Sequence, residues 1–296
     1  MSGPGALVLV ATPIGNLGDL SPRAVEALRD ADAICCEDTR RTGRLLDHAG
    51  IARRMPLLVV NDHTEATRIG EVLQRLARGE RVAVVTDAGM PGVSDPGERL
   101  VRATIAAGHP VAVVPGPSAA ITALVASGLP TGRFAFEGFL PRKGSGRAER
   151  LEALRTERRT IVLYEAPHRL ARTLADLAGV LGADRSAVLA RELTKLHEEL
   201  VRGPLGELVR WAEAAEPRGE FVVVVEGAPE AEEASDDEVR AALRAALDRG
   251  LSTRDAAAEA ADALGVSKRR AYALATTSSP PSPPSPPSPR RPLRPH

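Results

Sequence analysis

The stretch ATPIGNLGD, residues 11–19, follows an apolar run at Leu7–Val10 and precedes a helix start at Ser21–Pro22. A strand, a glycine-bearing turn and a helix in that order place the loop at the carboxyl end of a strand in an α/β sheet. Backbone N–H groups and the positive end of a helix hold ligands there. The loop is not a phosphate cradle. Gly15 and Gly18 do not make G-x-G-x-x-G, no Gly-Lys-Ser/Thr follows, and Pro13 removes an N–H that a phosphate would use.

Outward from this loop the same rhythm recurs. Runs at Ala33–Cys36, Leu57–Val60, Arg81–Thr86 and Val111–Val114 are each followed by a helical pattern, which predicts a parallel sheet covered by helices. Ser21 with Pro22 at the first helical position marks one helix start, and Asp95, Pro96 and Glu98 read as a capping box that marks another. Beyond Gly128 the spacing changes. Strand-like runs at Arg133–Phe139, Thr160–Tyr164, Ala187–Arg191, Leu196–Arg202 and Glu220–Glu226 have helices between only some of them, which predicts a second, mixed sheet. The expected domains are residues 1–120 and 121–230, with a ligand cleft between them.

Residues 236–275 read as purely helical. Ser252 or Thr253 caps one helix, Gly265 ends it, and Ser267 caps the next, which carries Lys268, Arg269 and Arg270. That is the outline of a helix-turn-helix, shared with a helical hairpin that only packs. Residues 276–296 are Pro/Ser-rich, cannot bury a core, and are expected to be a disordered tail.

Composition narrows the function. A chain of 296 residues, 43% of them hydrophobic, suffices for two ordinary cores. No apolar run approaches the roughly 20 residues of a membrane span, and no basic, then apolar, leader opens the chain, so a soluble cytoplasmic protein is expected. Net charge is zero, which argues against a whole-molecule electrostatic grip on nucleic acid. A local one remains: Arg133–Arg159 holds eight basic and four acidic residues around the glycine-rich LPRKGSGR, either a phosphate-tracking loop or a solvated face. Aromatics are 2% of the chain, which argues against an extended base-stacking platform. Cys35 and Cys36 are adjacent and are expected to be buried thiols. His197–Glu199, HEE, lacks the second His of a zinc motif, and no metal is expected.

Four loops at strand ends carry the candidate chemistry. The first is TPIGN. In CEDTRRTGRLL, Glu37, Asp38, Arg40 and Arg41 crowd a strand-to-helix junction. NDHTE offers His63 as an acid or base, with Asp62 or Thr64 as a plain helix cap. TDAGMPGVSDPG, residues 86–97, has three glycines that permit close backbone approach, and Asp87 suits a ribose hydroxyl or an amine. PGPSA then repeats the logic with Gly116 and Ser118. A cleft of glycines, prolines, carboxylates and small hydroxyls without a phosphate grip suits a nucleoside cofactor such as S-adenosylmethionine.

TPIGNLGDLSPRA, CEDTRRTGRLL, TDAGMPGVSDPG, PGPSA, YEAPHR and RELTKLHEE occur in that order, and the likeness runs to about Ala275. Together they resemble the bacterial small-subunit rRNA cytidine 2′-O-methyltransferases of the tetrapyrrole-methylase-like superfamily. The resemblance implies a two-domain α/β fold with a parallel-sheet first domain, a mixed-sheet second domain and a small helical appendage. It also implies S-adenosylmethionine folded between the domains, a homodimer, and methylation of a 16S rRNA ribose at the decoding centre of the small ribosomal subunit.

Carried over onto this chain, Pro13 and Ile14, then Asp87, Ala88, Gly89 and Met90, then Ser118 and Ala119 line the cofactor site, and Tyr164 and Glu165 close over it. Asp38 or His63 is the expected base, with Arg40, Arg169 or Lys195 stabilising alkoxide or phosphate. Arg142, Lys143, Arg147 and Arg169 are expected to face RNA. The porphyrin methylases of the superfamily usually have a more Gly-rich first loop and Gly-Asp-Pro in the second, whereas TPIGN and DAG favour the rRNA branch. A porphyrin-type C-methyltransferase using the same cleft, and a helix-turn-helix regulator whose α/β part senses a ligand, stand as the alternatives. NDHTE is more acidic than the His-rich form of that branch, and the Pro/Ser tail has no counterpart in it.

Overall fold

A computed structural model describes residues 5–61, 63–215, 217–229 and 234–277. Buried apolar runs alternate with one-sided helices through the first part of the chain. They form β1 (Ala6–Val10), α1 (Pro22–Arg29), β2 (Ala33–Cys36), α2 (Thr39–His48), β3 (Leu57–Val59), α3 (Glu65–Ala77), β4 (Arg81–Val84), α4 (Glu98–Ala106) and β5 (Val111–Val114). The sheet runs β3-β2-β4-β1-β5 with every pairing parallel, as expected. Both faces are covered, which is why strands such as ALVLV and AICC are apolar throughout rather than alternating. Val10, Ile34 and Cys36 pack under Leu28 and Leu46 on one face, and Leu7, Cys35 and Val82 pack under Leu76 and Leu100 on the other. Burial pushes the Cys35 thiol up to about 12, so it is an inert core group.

Helix α5 (Ala119–Ser127) leads into the second sheet, built from β6 (Phe134–Phe139), α6 (Ser145–Leu154), β7 (Thr160–Glu165), α7 (Pro167–Leu181), β8 (Ser186–Arg191), β9 (Glu199–Pro204), α8 (Leu205–Ala214) and β10 (Phe221–Val225). The order is β6-β7-β10-β8-β9, with β6 and β7 parallel and the other pairs antiparallel, the mixed sheet read from the sequence. Leu170, Leu174 and Leu177 of α7 cover one face together with Leu205 and Leu208. Ala120, Ala123 and Leu124 of α5 cover the other against Val162, Val188 and Val222. Residues 120 and 121, where the domain boundary was expected, lie in the first turn of α5.

Two local expectations need correction. Helix α4 has Gly97, not Asp95, at its N-cap: it starts at Glu98 behind that glycine, whose φ of 133° only glycine takes readily. Instead Glu65, 5% exposed, reaches across from NDHTE, and its Oε1 accepts from the amides of Gly97 at 3.0 Å and Leu100 at 3.1 Å. The strand expected from Leu196 begins only at Glu199, because Glu192 and Thr194 sit at φ 49° and 66° and fold Leu193–Glu198 into a turn. Glu198 Oε2 accepts from the Thr194 amide to fix it, and His197 lies in that turn rather than in a strand.

The chain divides between Pro229 and Glu230 into two compact units. The second holds α9 (Asp236–Asp248), α10 (Thr253–Leu264) and α11 (Lys268–Thr277) around a core of Val239, Leu243, Ala257, Ala261 and Leu274. Its punctuation follows the sequence. Ser235 and Glu238 make a capping box, Ser252 caps α10, Gly265 ends it at φ 65°, and Ser267 Oγ accepts from the Arg270 amide. The Pro/Ser segment from 278 onward and Asp62 lie outside the described residues. Among the described residues no helix is long and apolar enough to cross a membrane.

Candidate active site

The loops at the carboxyl ends of β1, β4 and β5 are tied together by their backbones. The Thr12 amide donates to the Gly89 carbonyl at 2.9 Å and the Gly89 amide returns a bond to Thr12 at 3.1 Å, while Thr12 Oγ1 donates to the Thr86 carbonyl. A Cβ at Gly116 would lie 2.8 Å from the Ala11 Cβ, so that glycine lets the third loop approach the first. The second sheet joins from above. Tyr164 Oη accepts from the Ala120 amide at 3.2 Å, and the Asn16 amide donates to Thr194 Oγ1 at 3.1 Å, which pins TPIGN to the RELTK turn.

These loops enclose a cavity of about 300 Å³. Ile14, Ala88, Gly89, Met90, Ser118 and Ala119 line it from the first half, and Tyr164 and Glu165 from the second. Pro13 is buried, and neither it nor Asp87 lines the wall. Sequence reasoning missed Val93 and Asp95, although both stand in the TDAGMPGVSDPG segment it singled out, and missed Phe139, Leu193, Glu220 and Phe221 at or near strand ends. Asp95, Glu165 and Glu220 put three carboxylates in the lining, which holds no Lys or Arg. Burial pushes the Tyr164 phenol up, so it stays protonated at neutral pH.

Asp38, Arg40, Arg41 and Asp87 form a second group beside this cavity. Asp38 is the N-cap of α2: it accepts from the Arg40 amide at 2.7 Å and pairs with the Arg40 guanidinium at 2.9 Å. Those Arg40 hydrogen bonds hold its carboxyl at about 2, which makes it a poor proton acceptor. Asp87 differs. Its amide donates to Glu37 Oε1 and its Oδ2 lies 3.4 Å from Arg41 Nε, while its Oδ1 is buried with no hydrogen-bond partner among the described residues. Desolvation pushes its carboxyl up against the opposing pull of Arg41, and the Asp38 charge adds to the rise. His63 is exposed, its amide held by Asn61 Oδ1, so the turn before α3 is fixed by Asn61.

The other expected cations divide by environment. Burial pulls the Lys195 ammonium down, but hydrogen bonds to Glu220 at 2.8 Å and Glu192 at 2.9 Å outweigh it and raise its pKa overall. Lys195 is thus a tethered cation behind Glu220. Arg169 donates to the Leu140 carbonyl and lies 3.3 Å from Glu165, whose carboxylate also accepts from Thr173 Oγ1 and the Ala166 amide. Arg147 was expected to face RNA, but its side chain is 5% exposed and bonds Asp176, Thr173 and the Pro141 carbonyl, so it locks α6 to α7. Arg142 and Lys143 are exposed, and among the described residues neither side chain has a hydrogen-bond or ion-pair partner.

Residues 6–209 match the tetrapyrrole (corrin/porphyrin) methylases, and residues 233–278 match the RsmI C-terminal HTH domain. The ribosomal RNA small subunit methyltransferase I of Synechocystis sp. is 47% identical over 272 residues, 91% of this chain and 97% of that protein. Its namesake from Xylella fastidiosa is 49% identical over 274 residues, 92% and 99% of the two chains. Among solved structures, uroporphyrin-III-C-methyltransferase from Thermus thermophilus aligns with a TM-score of 0.54 at 25% identity, covering 74% of this chain and 94% of that one. The methyltransferase CobJ aligns at 0.59 and 24% identity, covering 76% and 95%, a likeness of fold. The chain belongs to the ribosomal RNA small subunit methyltransferase I family, a branch of the tetrapyrrole methylases.

Proposed function

We propose that this protein methylates the 2′-oxygen of a cytidine ribose in 16S rRNA, at the decoding centre of the small ribosomal subunit, and that it works in the cytoplasm as a homodimer. Its family makes it an S-adenosylmethionine-dependent rRNA methyltransferase. The choice of cytidine and of the 2′-oxygen is the finer reading. That choice rests on the motif resemblance; the observation that supports RNA as the methyl acceptor is the pairing of a carboxylate-bearing cleft, without Lys or Arg in its lining, with an exposed basic segment three residues past β6, Arg142–Lys143.

The cleft fits the cofactor. A phosphate would meet three carboxylates and no cation on the wall itself, with Arg169 and Lys195 paired to Glu165 and Glu220 from behind, whereas an adenosine bearing ammonium and sulfonium charges meets apolar walls and acidic groups of opposite sign. Ile14, Ala88, Gly89, Ser118 and Ala119 would hold it, with Tyr164 and Glu165 over it. Bound there, it supplies an electrophilic methyl group on sulfur. The chain's own residues position the ribose, exclude water and take one proton. The ribose hydroxyl must give up one proton on methylation, and a carboxylate of the chain would take it. Asp87 stands one residue before Ala88 of the cleft wall, its side chain is 28% exposed and burial raises its carboxyl, so it suits that task better than Asp38. Arg41 beside it keeps the ionised form available.

Residues 1–120 and 121–230 act in this reading as the two sides of the cleft, and residues 236–275 as an appended helical module. Val113 on the edge strand β5, with Ile121 and Val125 on α5, is 45–65% exposed, apolar surface of the kind a second copy covers. Incubation with methyl-labelled cofactor and undermodified small subunits tests the activity. Label in 16S rRNA supports it, and label absent from RNA sinks it.

A further inference from the structure

Phe139 is 52% exposed at the cleft although the chain has only four Phe, two Tyr and one Trp. Its ring centroid lies 5.6 Å from that of Tyr164 at 59°, and Phe136 meets the same Tyr edge-on at 5.0 Å and 72°. A regular strand would not assemble this group, because residues three apart point to opposite faces. The pairing of β6 with β7 shifts in register: Phe136 stands opposite Val162, Gly138 opposite Leu163 and Phe139 opposite Tyr164. Glu137 is the extra residue of this bulge, and it returns Phe139 to the face that Phe136 occupies. Gly138 takes φ 58°, and a Cβ there would lie 2.9 Å from Ser94 Oγ, so the glycine admits the loop after β4. That loop brings Val93, 40% exposed, to the same cavity.

Past the bulge the chain runs through buried Leu140 to the exposed cations Arg142 and Lys143, which have no partner among the described residues and lie within about 14 Å of Phe139 along the backbone. An exposed ring backed by two others, followed within four residues by two exposed cations, matches the two halves of a nucleotide: a flat apolar base and an anionic phosphate. We propose that Phe139 is the shelf on which an unpaired base of the RNA substrate stacks, while Arg142 and Lys143 neutralise adjoining phosphates. The inference rests on the rRNA-methyltransferase reading above and adds the subsite that turns the ribose toward the methyl group. Base–aromatic stacking tolerates any base, so one such ring suffices without an extended platform.

The test uses the full chain and a short oligoribonucleotide carrying the fluorescent base pyrrolocytosine, with Phe139→Ala, Phe139→Leu and Phe139→Trp. Stacking predicts quenching by the wild type and by Phe139→Trp, and roughly tenfold weaker RNA binding with loss of quenching in the Ala and Leu variants. S-adenosylhomocysteine affinity, read by calorimetry, falls by less than RNA affinity in each of them, although Phe139 also lines the cleft. Equal quenching by Phe139→Ala, or a loss of cofactor affinity as large as the loss of RNA affinity, overturns the shelf. A wild type that quenches but transfers no methyl group to small subunits leaves the shelf standing and refutes the methylation reading instead.

Discussion

Gly15 and Leu193 meet where the two halves of the cleft touch: a Cβ built on Gly15 would lie 2.9 Å from the Leu193 carbonyl oxygen and 2.8 Å from Thr194 Oγ1. The next amide, Asn16, donates to that same hydroxyl. TPIGN is therefore a seat for the turn of the second half. The Leu193–Glu198 turn cannot easily retreat, since Thr194 already holds φ 66° and its amide is fixed by Glu198. Overpacking of this kind costs about 1–3 kcal/mol. Gly15→Ala should weaken S-adenosylhomocysteine binding roughly tenfold by calorimetry, and unchanged affinity would show that the seat does not shape the cleft.

Arg147 and its neighbours Arg142 and Lys143 should separate in experiment. Arg147→Met leaves Asp176 with only Arg172 at 4.0 Å and strips a donor from Thr173 and the Pro141 carbonyl, and should lower unfolding free energy by roughly 2 kcal/mol, read from the urea midpoint. Its RNA affinity, measured under folding conditions, should hardly change.

Removing Arg142 and Lys143 together should do the reverse. Stability is expected to stay within about 0.5 kcal/mol because both are exposed and have no partner among the described residues. The slope of log affinity for RNA against log salt should fall by about 1.5, the release expected from two phosphates. An unaltered slope would remove these two residues from the RNA surface.

Asp38 and Asp87 titrate in opposite senses. Hydrogen bonds from Arg40 hold Asp38 at about 2, below the ordinary 3.8, so its contribution to stability is complete above pH 3.8 and is lost as pH falls through 2. Burial holds Asp87 above 3.8, so its contribution is complete below that pH and is lost as pH rises through the folded value. Asp87→Asn should therefore raise Tm at neutral pH, with the gain shrinking on acidification, while methyl transfer drops roughly 100-fold. Asp38→Asn should lower Tm at neutral pH. A destabilised Asp87→Asn would place the carboxylate in a purely structural ion pair with Arg41.

What the sequence revealed and what it hid follow from the range of the interactions. Ser21, Ser252 and Gly265 act within their own helices, so cap and terminator were legible from neighbouring residues. The apolar runs of β1 and β2 likewise report burial directly. Glu65 caps α4 from 32 residues away, and nothing in NDHTE announces that its last residue serves a distant helix. Arg147 looked identical to Arg142 in a basic segment; only the packing of α6 on α7 buries one and leaves the other in solvent. The bulge that aims Phe139 depends on a register with β7 that no local pattern encodes.

The identity of the methylated atom bears most directly on the account. Undermodified small subunits, incubated with the full chain and labelled S-adenosylmethionine, would be digested to nucleosides and the product mapped along 16S rRNA. The account predicts label in 2′-O-methylcytidine at a single decoding-centre position. Label on a base carbon or nitrogen, on a nucleoside other than cytidine, or spread over many sites would contradict it.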